Sequence, residues 1–303
     1  MGMRETASVE DVTRGLEREN YLADRGLSTA VYLSLRQKRP LLLEGEAGVG
    51  KTELAKSLAN WSGGELIRLQ CYEGITSNQA LYEWDYARQL LHLRTAEATG
   101  EAENISTKEL EDDLYSEKFL IKRPLFKALA IQENPPPVLL IDEIDRADDE
   151  FEAFLLELLS EYSITIPEIG TYTSKVVPIV IITSNRTRDI HDALKRRCFY
   201  HWVEYPDTER EMQIIRIRAP HVPEVLAKEV AIAAAQFRDM GLYKPPGISE
   251  TLDWAEALVT IGIDDLDETI INDTIGTLIK YREDQERVRT QGFDELLSLV
   301  RRG

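Results

Sequence analysis

Gly45-Glu46-Ala47-Gly48-Val49-Gly50-Lys51-Thr52 is a complete G-x-x-x-x-G-K-T sequence. It follows a short apolar segment, 40–43, that predicts a buried strand. It precedes 52–60, where Leu54, Ala55, Leu58 and Ala59 fall on one helical face. A phosphate cradle needs this strand–loop–helix setting. The glycines let the backbone curl until its N–H groups point at phosphate oxygens, and the helix N-terminus adds a favourable dipole. Lys51 can reach the outer phosphates, and the Thr52 hydroxyl can bind a Mg²⁺ that accompanies them. Gly45 through Glu53 is therefore the expected contact stretch for a nucleoside triphosphate.

Outward from this loop, apolar segments continue in a strand–helix alternation. Residues 65–71 alternate as a second strand, 138–142 form a continuous apolar strand, and 151–162 repeat at helical spacing. Residues 176–184 and 199–204 predict two more strands. Strands alternating with helices imply an α/β fold with a parallel sheet covered on both faces. Two insertions break the rhythm: a polar, acidic stretch at 96–119, expected on the surface, and 163–176, which alternate around Gly170 as a hairpin. After Pro206 strand character disappears, and Asp207-Thr208 can cap the first of several helices. The expected division is an α/β core at 1–206 and a small helical domain at 207–303.

Three further groups carry chemistry. The strand at 138–142 ends in Asp142 and Glu143, at the edge where open α/β sheets bind ligands. Asp142 would hold Mg²⁺, and Glu143 would polarise an attacking water. The strand at 176–184 leads to Asn185, placed for the terminal phosphate and the water; its plainer reading is a cap on the following turn. Lys195-Arg196-Arg197 precede the last core strand. They read either as a cationic helix end complementing its dipole or as a finger reaching a neighbouring subunit's phosphate.

Bulk properties narrow the classes. The 303 residues carry a formal net charge of −18, which argues against gripping nucleic acid through its phosphates. The N-terminus lacks the apolar core of a signal peptide, and no apolar run approaches the roughly 18 residues of a membrane span. Gly2 and Thr6 fit a loose acylation pattern, but a single acyl chain anchors weakly. Cys71 and Cys198 are too few for a disulfide framework and read as buried free thiols of a reducing, cytoplasmic compartment. The four histidines show no metal-ligand spacing and read as structural.

In this order, these residues resemble the AAA+ superfamily and, within it, the MoxR family. The resemblance rests on Arg39-Pro40 through Glu44 before the loop, on Asp142-Glu143-Ile144-Asp145-Arg146-Ala147, and on Thr183-Ser184-Asn185. Further stretches are similar to the CoxD-like accessory ATPases of carbon monoxide dehydrogenase maturation. They are 69–73, 81–87, Arg196-Arg197-Cys198, and 244–254 with its Pro-Pro-Gly-Ile. The resemblance covers about 15–265. It implies a five-stranded parallel sheet between helices with a helical lid, and ATP bound at Gly48, Gly50, Lys51 and Thr52. It also implies Mg²⁺ at Thr52 and Asp142, a catalytic Glu143, sensor-1 Asn185 and a finger at Arg197, with Arg196 as alternate. A helix-2 insert would occupy about 78–95 and a pre-sensor-1 hairpin about 163–176. One departure stands out: near Glu250-Thr251, where many relatives carry a sensor-2 arginine, this chain has none.

The family's work is chaperone-like. Hexameric rings remodel a client, often a metalloenzyme, with a von Willebrand factor A domain adaptor; this expectation rests on resemblance alone. Competing readings are a nucleic-acid motor or loader, disfavoured by the charge, and a metal-chelatase motor subunit. A non-hydrolysing switch is a third, disfavoured by the intact Lys51, Asp142, Glu143 and Asn185. Tyr82, Trp84 and Tyr86, within the insert, read either as local packing or as exposed contacts for a pore or client.

Overall fold

The computed structural model describes residues 7–99, 106–293 and 296–299. Gly2 and Thr6, and the middle of the acidic insertion, lie outside the described residues. The chain divides into two compact units. One takes in the segment up to Val12, Arg25–Leu43 and Ala55–His201; the other Thr13–Asp24, Glu44–Leu54 and the chain from Trp202 onward.

The fold is α/β, and a five-stranded parallel sheet organises it. Its strands are β1 (Leu41–Glu44), β2 (Leu66–Gln70), β5 (Val138–Asp142), β8 (Ile179–Ser184) and β9 (Phe199–Trp202), in the order β2-β5-β8-β1-β9. Composition explains the order. β1, β5 and β8 are buried at every position, as strands covered on both faces must be. β2 sits at an edge and alternates, with Ile67 and Leu69 buried while Arg68 and Gln70 face out. β2 and β5 pair in register from Leu66↔Val138 to Gln70↔Asp142, and β5 with β8 from Val138↔Ile179 to Ile141↔Ile182. Parallel neighbours put their carboxyl ends on one sheet edge, so Asp142 and Ser184 both end there.

Within the first unit, α8 (Asp149–Glu161) starts where Asp148 accepts the Phe151 N–H and stops at Tyr162 in left-handed geometry. Its Phe151, Leu155, Leu158 and Leu159 join the core. The hairpin forms as β6 (Ser163–Ile166) against β7 (Gly170–Thr173). The region expected as a helix-2 insert holds α4 (Ser77–Leu81), β3 (Tyr82–Trp84) and α5 (Tyr86–Thr99), with β3 pairing β4 (Leu120–Lys122). The end of the acidic insertion is less superficial than its polarity suggests. Phe119 is buried, and the Gln89 amide donates to the Leu114 carbonyl at 2.7 Å. The aromatic cluster splits: Trp84 is buried against Tyr82 and Tyr115, whereas Tyr86 is 66% exposed.

Two helices of the N-terminal region, α1 (Val9–Arg18) and α2 (Arg25–Gln37), and the short α3 after the loop (Lys51–Ser62) complete the early chain. The helix α7 (Pro124–Ala130) starts on a proline at its first turn; α6 spans Thr107–Leu114. In the second unit the helices after Trp202 begin at Thr208. Asp207 accepts the Arg210 N–H to open α10 (Thr208–Arg218). There follow α11 (Glu224–Asp239), α12 (Ile248–Thr260), α13 (Glu268–Leu278) and α14 (Arg282–Gln291), around a core built on Trp254, Phe237 and Ile215.

Candidate nucleotide site

β1 ends at Glu44 and α3 begins at Lys51, so residues 45–50 must reverse between them. Gly48 and Gly50 take φ of +78° and +92°, a region where a Cβ is costly. Val49 turns into the core while Glu46 and Ala47 stay exposed. The Lys51 ammonium, only 6% exposed, donates to the carbonyls of Gly45 at 2.7 Å and Glu46 at 2.6 Å. A buried cation is thus wrapped by its own loop at the start of a helix, where the dipole favours an anion. Thr52 is half-buried on the first turn of α3. Glu53 is directed elsewhere, its carboxylate paired with Arg218 at 2.6 Å.

The start of α12 lies against the same loop. Ile248 N–H donates to the Gly48 carbonyl at 2.9 Å. A Cβ on Gly247 would stand 2.7 Å from the Gly48 Cα and 3.0 Å from the Ala47 carbonyl oxygen. Glu250 caps the helix by accepting the Gly247 N–H at 3.1 Å, and the Thr251 hydroxyl donates to the Gly247 carbonyl at 3.0 Å. The nearby Arg238 of α11 is engaged elsewhere. It binds both oxygens of buried Glu211 at 2.6 and 2.7 Å, donates to the Pro246 carbonyl, and lies over the Tyr205 ring.

In the first unit, the Asp142 carboxylate is 3% exposed and held on two sides. Arg68 of β2 donates to one oxygen at 2.9 and 2.6 Å, and the Thr183 hydroxyl of β8 donates to the other at 2.5 Å. The same hydroxyl oxygen accepts the Glu143 N–H at 2.9 Å. Glu143 takes left-handed angles, φ 56° and ψ 52°, uncommon for a residue that carries a Cβ. Its carboxylate lies 3.6 Å from Arg146. Asp145 then fixes the turn after β8, accepting the N–H groups of Asn185 at 3.2 Å and Thr187 at 2.9 Å. Beneath Asp142, burial first and the neighbouring carboxylates second push the Cys71 thiol up to about 12. Cys198 is likewise pushed up to about 12, again mainly by burial. Both thiols are free and buried, the setting that disfavours the reactive thiolate.

The cationic stretch forms the end of α9 (Asp192–Arg197), whose start is capped by the His191 ring nitrogen accepting the Ala193 N–H. Arg196 is exposed but reaches back to Asp192 at 3.4 Å. Arg197 is exposed, and among the described residues its guanidinium has no partner.

A protein-family model described as AAA domain (dynein-related subfamily) matches residues 40–198. The chain belongs to this family. It is therefore an AAA+ ATPase. Among solved structures it is similar to a RuvB mutant of Thermotoga maritima, with TM-score 0.46 and 16% identity over 90% of this chain and 71% of that one. The T. maritima RuvB Holliday junction branch migration motor is similar too, with TM-score 0.45 and 16% identity over 90% and 70%. No curated protein matches the chain.

For an AAA+ ATPase, the expected residues fall into natural groups. Gly45 to Thr52 form one loop and helix start, and Asp142, Glu143 and Asn185 cluster around Thr183 and Asp145. Arg196 and Arg197 project from α9. The donor set expected for Mg²⁺, a hydroxyl of Thr52 and a carboxylate of Asp142, is all hard oxygen, which fits that ion. Residues assigned no role from the sequence alone are Arg68 and Thr183, which hold Asp142, and Gly247, which meets the loop; Thr183 entered only within the Thr183-Ser184-Asn185 stretch. Pro-Pro-Gly before α12 was the visible trace of Gly247. No helix among the described residues is long and apolar enough to cross a membrane.

Proposed function

We propose that this ATPase is of the MoxR type: it assembles as a ring, of hexameric form, and hydrolyses ATP at sites shared between copies to remodel a client. Lys51 and the loop amides bind the phosphates, and Thr52 and Asp142 hold Mg²⁺. When bound, Mg²⁺ neutralises phosphate charge and orients the terminal phosphoryl group. Glu143 takes a proton from the attacking water, Asn185 orients that water, and Arg197 stabilises the transition state in the next copy.

One observation carries the catalytic reading. A single hydroxyl, Thr183, sets both the carboxylate of Asp142 and the backbone of Glu143. Two acids with distinct tasks require fixed positions, and this one hydroxyl supplies both. Between the two finger residues, Arg197 is favoured because Arg196 has a partner in its own helix. The client class, a metalloenzyme served through a von Willebrand factor A domain adaptor in the cytoplasm, rests on the resembling stretches at 69–73, 81–87 and 244–254.

Subunit mixing tests the shared site. Arg197→Ala should bind ATP with modest loss and hydrolyse it poorly. Adding excess Lys51→Ala should restore turnover, because an intact loop then meets an intact finger. Absence of recovery in assembled mixtures refutes the sharing.

A further inference from the structure

We propose that Arg39 is the positioning residue of the arginine finger, an inference that rests on the shared-site reading above. α9 is six residues long, so it is nearly all ends. Its terminal carbonyls lack intrahelical partners, and a helix this short has no stability of its own in water. Something outside it must fix its last turn.

Arg39 does so. Its Nε donates to the Arg197 carbonyl at 3.0 Å and its Nη2 to the Arg196 carbonyl at 2.9 Å. The same guanidinium lies over the Phe199 ring, 4.9 Å from its centre. Arg39 is itself anchored: its N–H donates to the Ser34 carbonyl at 3.2 Å, and its carbonyl accepts the Ser34 hydroxyl at 2.7 Å. One residue on, the Pro40 carbonyl accepts the Phe199 N–H at 2.8 Å. The fork therefore spans two consecutive carbonyls from a fixed base, one before Arg197 and one on it.

Net charge does not draw Arg39 there; local attraction does, from the carbonyls at the helix end and the face of the Phe199 ring. The end of α9 already carries Lys195, Arg196 and Arg197, and a fourth cation adds repulsion. Its benefit is directional: two parallel donors from a rigid plane, which a lysine cannot supply. The consequence is that the carbonyls point inward to Arg39 while the Arg197 side chain stays exposed. A finger on a frayed turn would be misplaced, and misplacement by about 1 Å can cost on the order of 10²-fold in rate.

The test uses full-length Arg39→Gln and Arg39→Lys, checked for native circular dichroism and assembly. Both should bind ATP in calorimetry within about twofold of the parent chain. Both should turn over more slowly, on the order of 10–100-fold for glutamine and less for lysine, within the 10³–10⁵ a finger contributes. The decisive readout is the side of the interface affected. Arg39→Gln mixed with Lys51→Ala should recover activity, because the defect lies only in the donated finger. Mixed with Arg197→Ala it should not, because every finger is then impaired. Failure to recover with Lys51→Ala, while Arg197→Ala does recover, overturns the role of Arg39 and leaves the shared site standing. Recovery with Arg197→Ala overturns it as well, and parental turnover by Arg39→Gln does so directly. If Arg197→Ala is not rescued by Lys51→Ala, the shared site falls and this inference with it.

Discussion

Replacing Gly247 by alanine should uncouple α12 from the phosphate loop. The backbone at Gly247, φ −83°, suits alanine, so the effect is purely one of contact. The new Cβ would stand 2.7 Å from the Gly48 Cα, 2.8 Å from a Glu250 carboxylate oxygen and 3.0 Å from the Ala47 carbonyl oxygen. The Glu250 oxygen can swing away, but the two backbone atoms cannot without moving the loop or the helix. Overpacking of this kind costs about 1–3 kcal/mol. Separating the backbones also loses the Ile248–Gly48 hydrogen bond, a further contribution of about 0.5–1.5 kcal/mol. We expect a loss of about 2–4 kcal/mol in urea unfolding and weaker ATP binding, since relief comes at the loop. Gly48→Ala should be worse, because it meets the Gly247 Cα at 2.9 Å and also holds φ +78°, adding about 1–2 kcal/mol. Gly247→Ala within about 0.5 kcal/mol of the parent, the range of an ordinary surface change, with unchanged ATP affinity, would refute the close approach.

Lys51→Ala should abolish ATP binding in calorimetry, because it removes the cation enclosed by the loop; tight binding would contradict the cradle. Arg238→Met leaves the buried Glu211 carboxylate without its cation, the two side chains being 8% and 0% exposed. It should lower stability by about 3–5 kcal/mol in chemical denaturation, and adding Glu211→Leu should recover most of that loss. Cys71 and Cys198, both pushed up to about 12, should resist a thiol reagent at pH 8. A thiolate fraction of about 10⁻⁴ replaces the quarter or so of an ordinary thiol. Both should react fully in denaturant, and fast labelling of the native protein would show they are not buried as described.

Much of the fold was legible because its central strands are continuous apolar runs. β5 falls on the expected 138–142, and β8 and β9 lie inside their expected spans. The early strand-like span at 65–71 alternates, and alternation is what an edge strand shows. The site was legible wherever it is contiguous, as in the loop and in Asp142-Glu143. It was not legible where contacts join distant segments. Arg68 reads as an outward-facing residue of an edge strand, and only the β2–β5 register brings it to Asp142. Arg39 reads as part of a pre-strand motif, and its carbonyl partners lie 157 and 158 positions away. α1 and α2 carry helical spacing too, Val12 and Leu16 in one and Leu27 and Val31 in the other being buried one turn apart, but they precede the strand–helix alternation that starts at the loop and went unread for that reason.

The central claim, that Glu143 is the base of an ATP-hydrolysing site, is tested most directly by single-turnover hydrolysis with Glu143→Gln. The substitution keeps the shape and the backbone bond to Thr183 and removes the proton acceptor. The account predicts ATP affinity close to that of the parent chain, with turnover reduced by about 10²–10⁴-fold, the range a general base contributes. Near-parental turnover by a variant that binds ATP normally would contradict it.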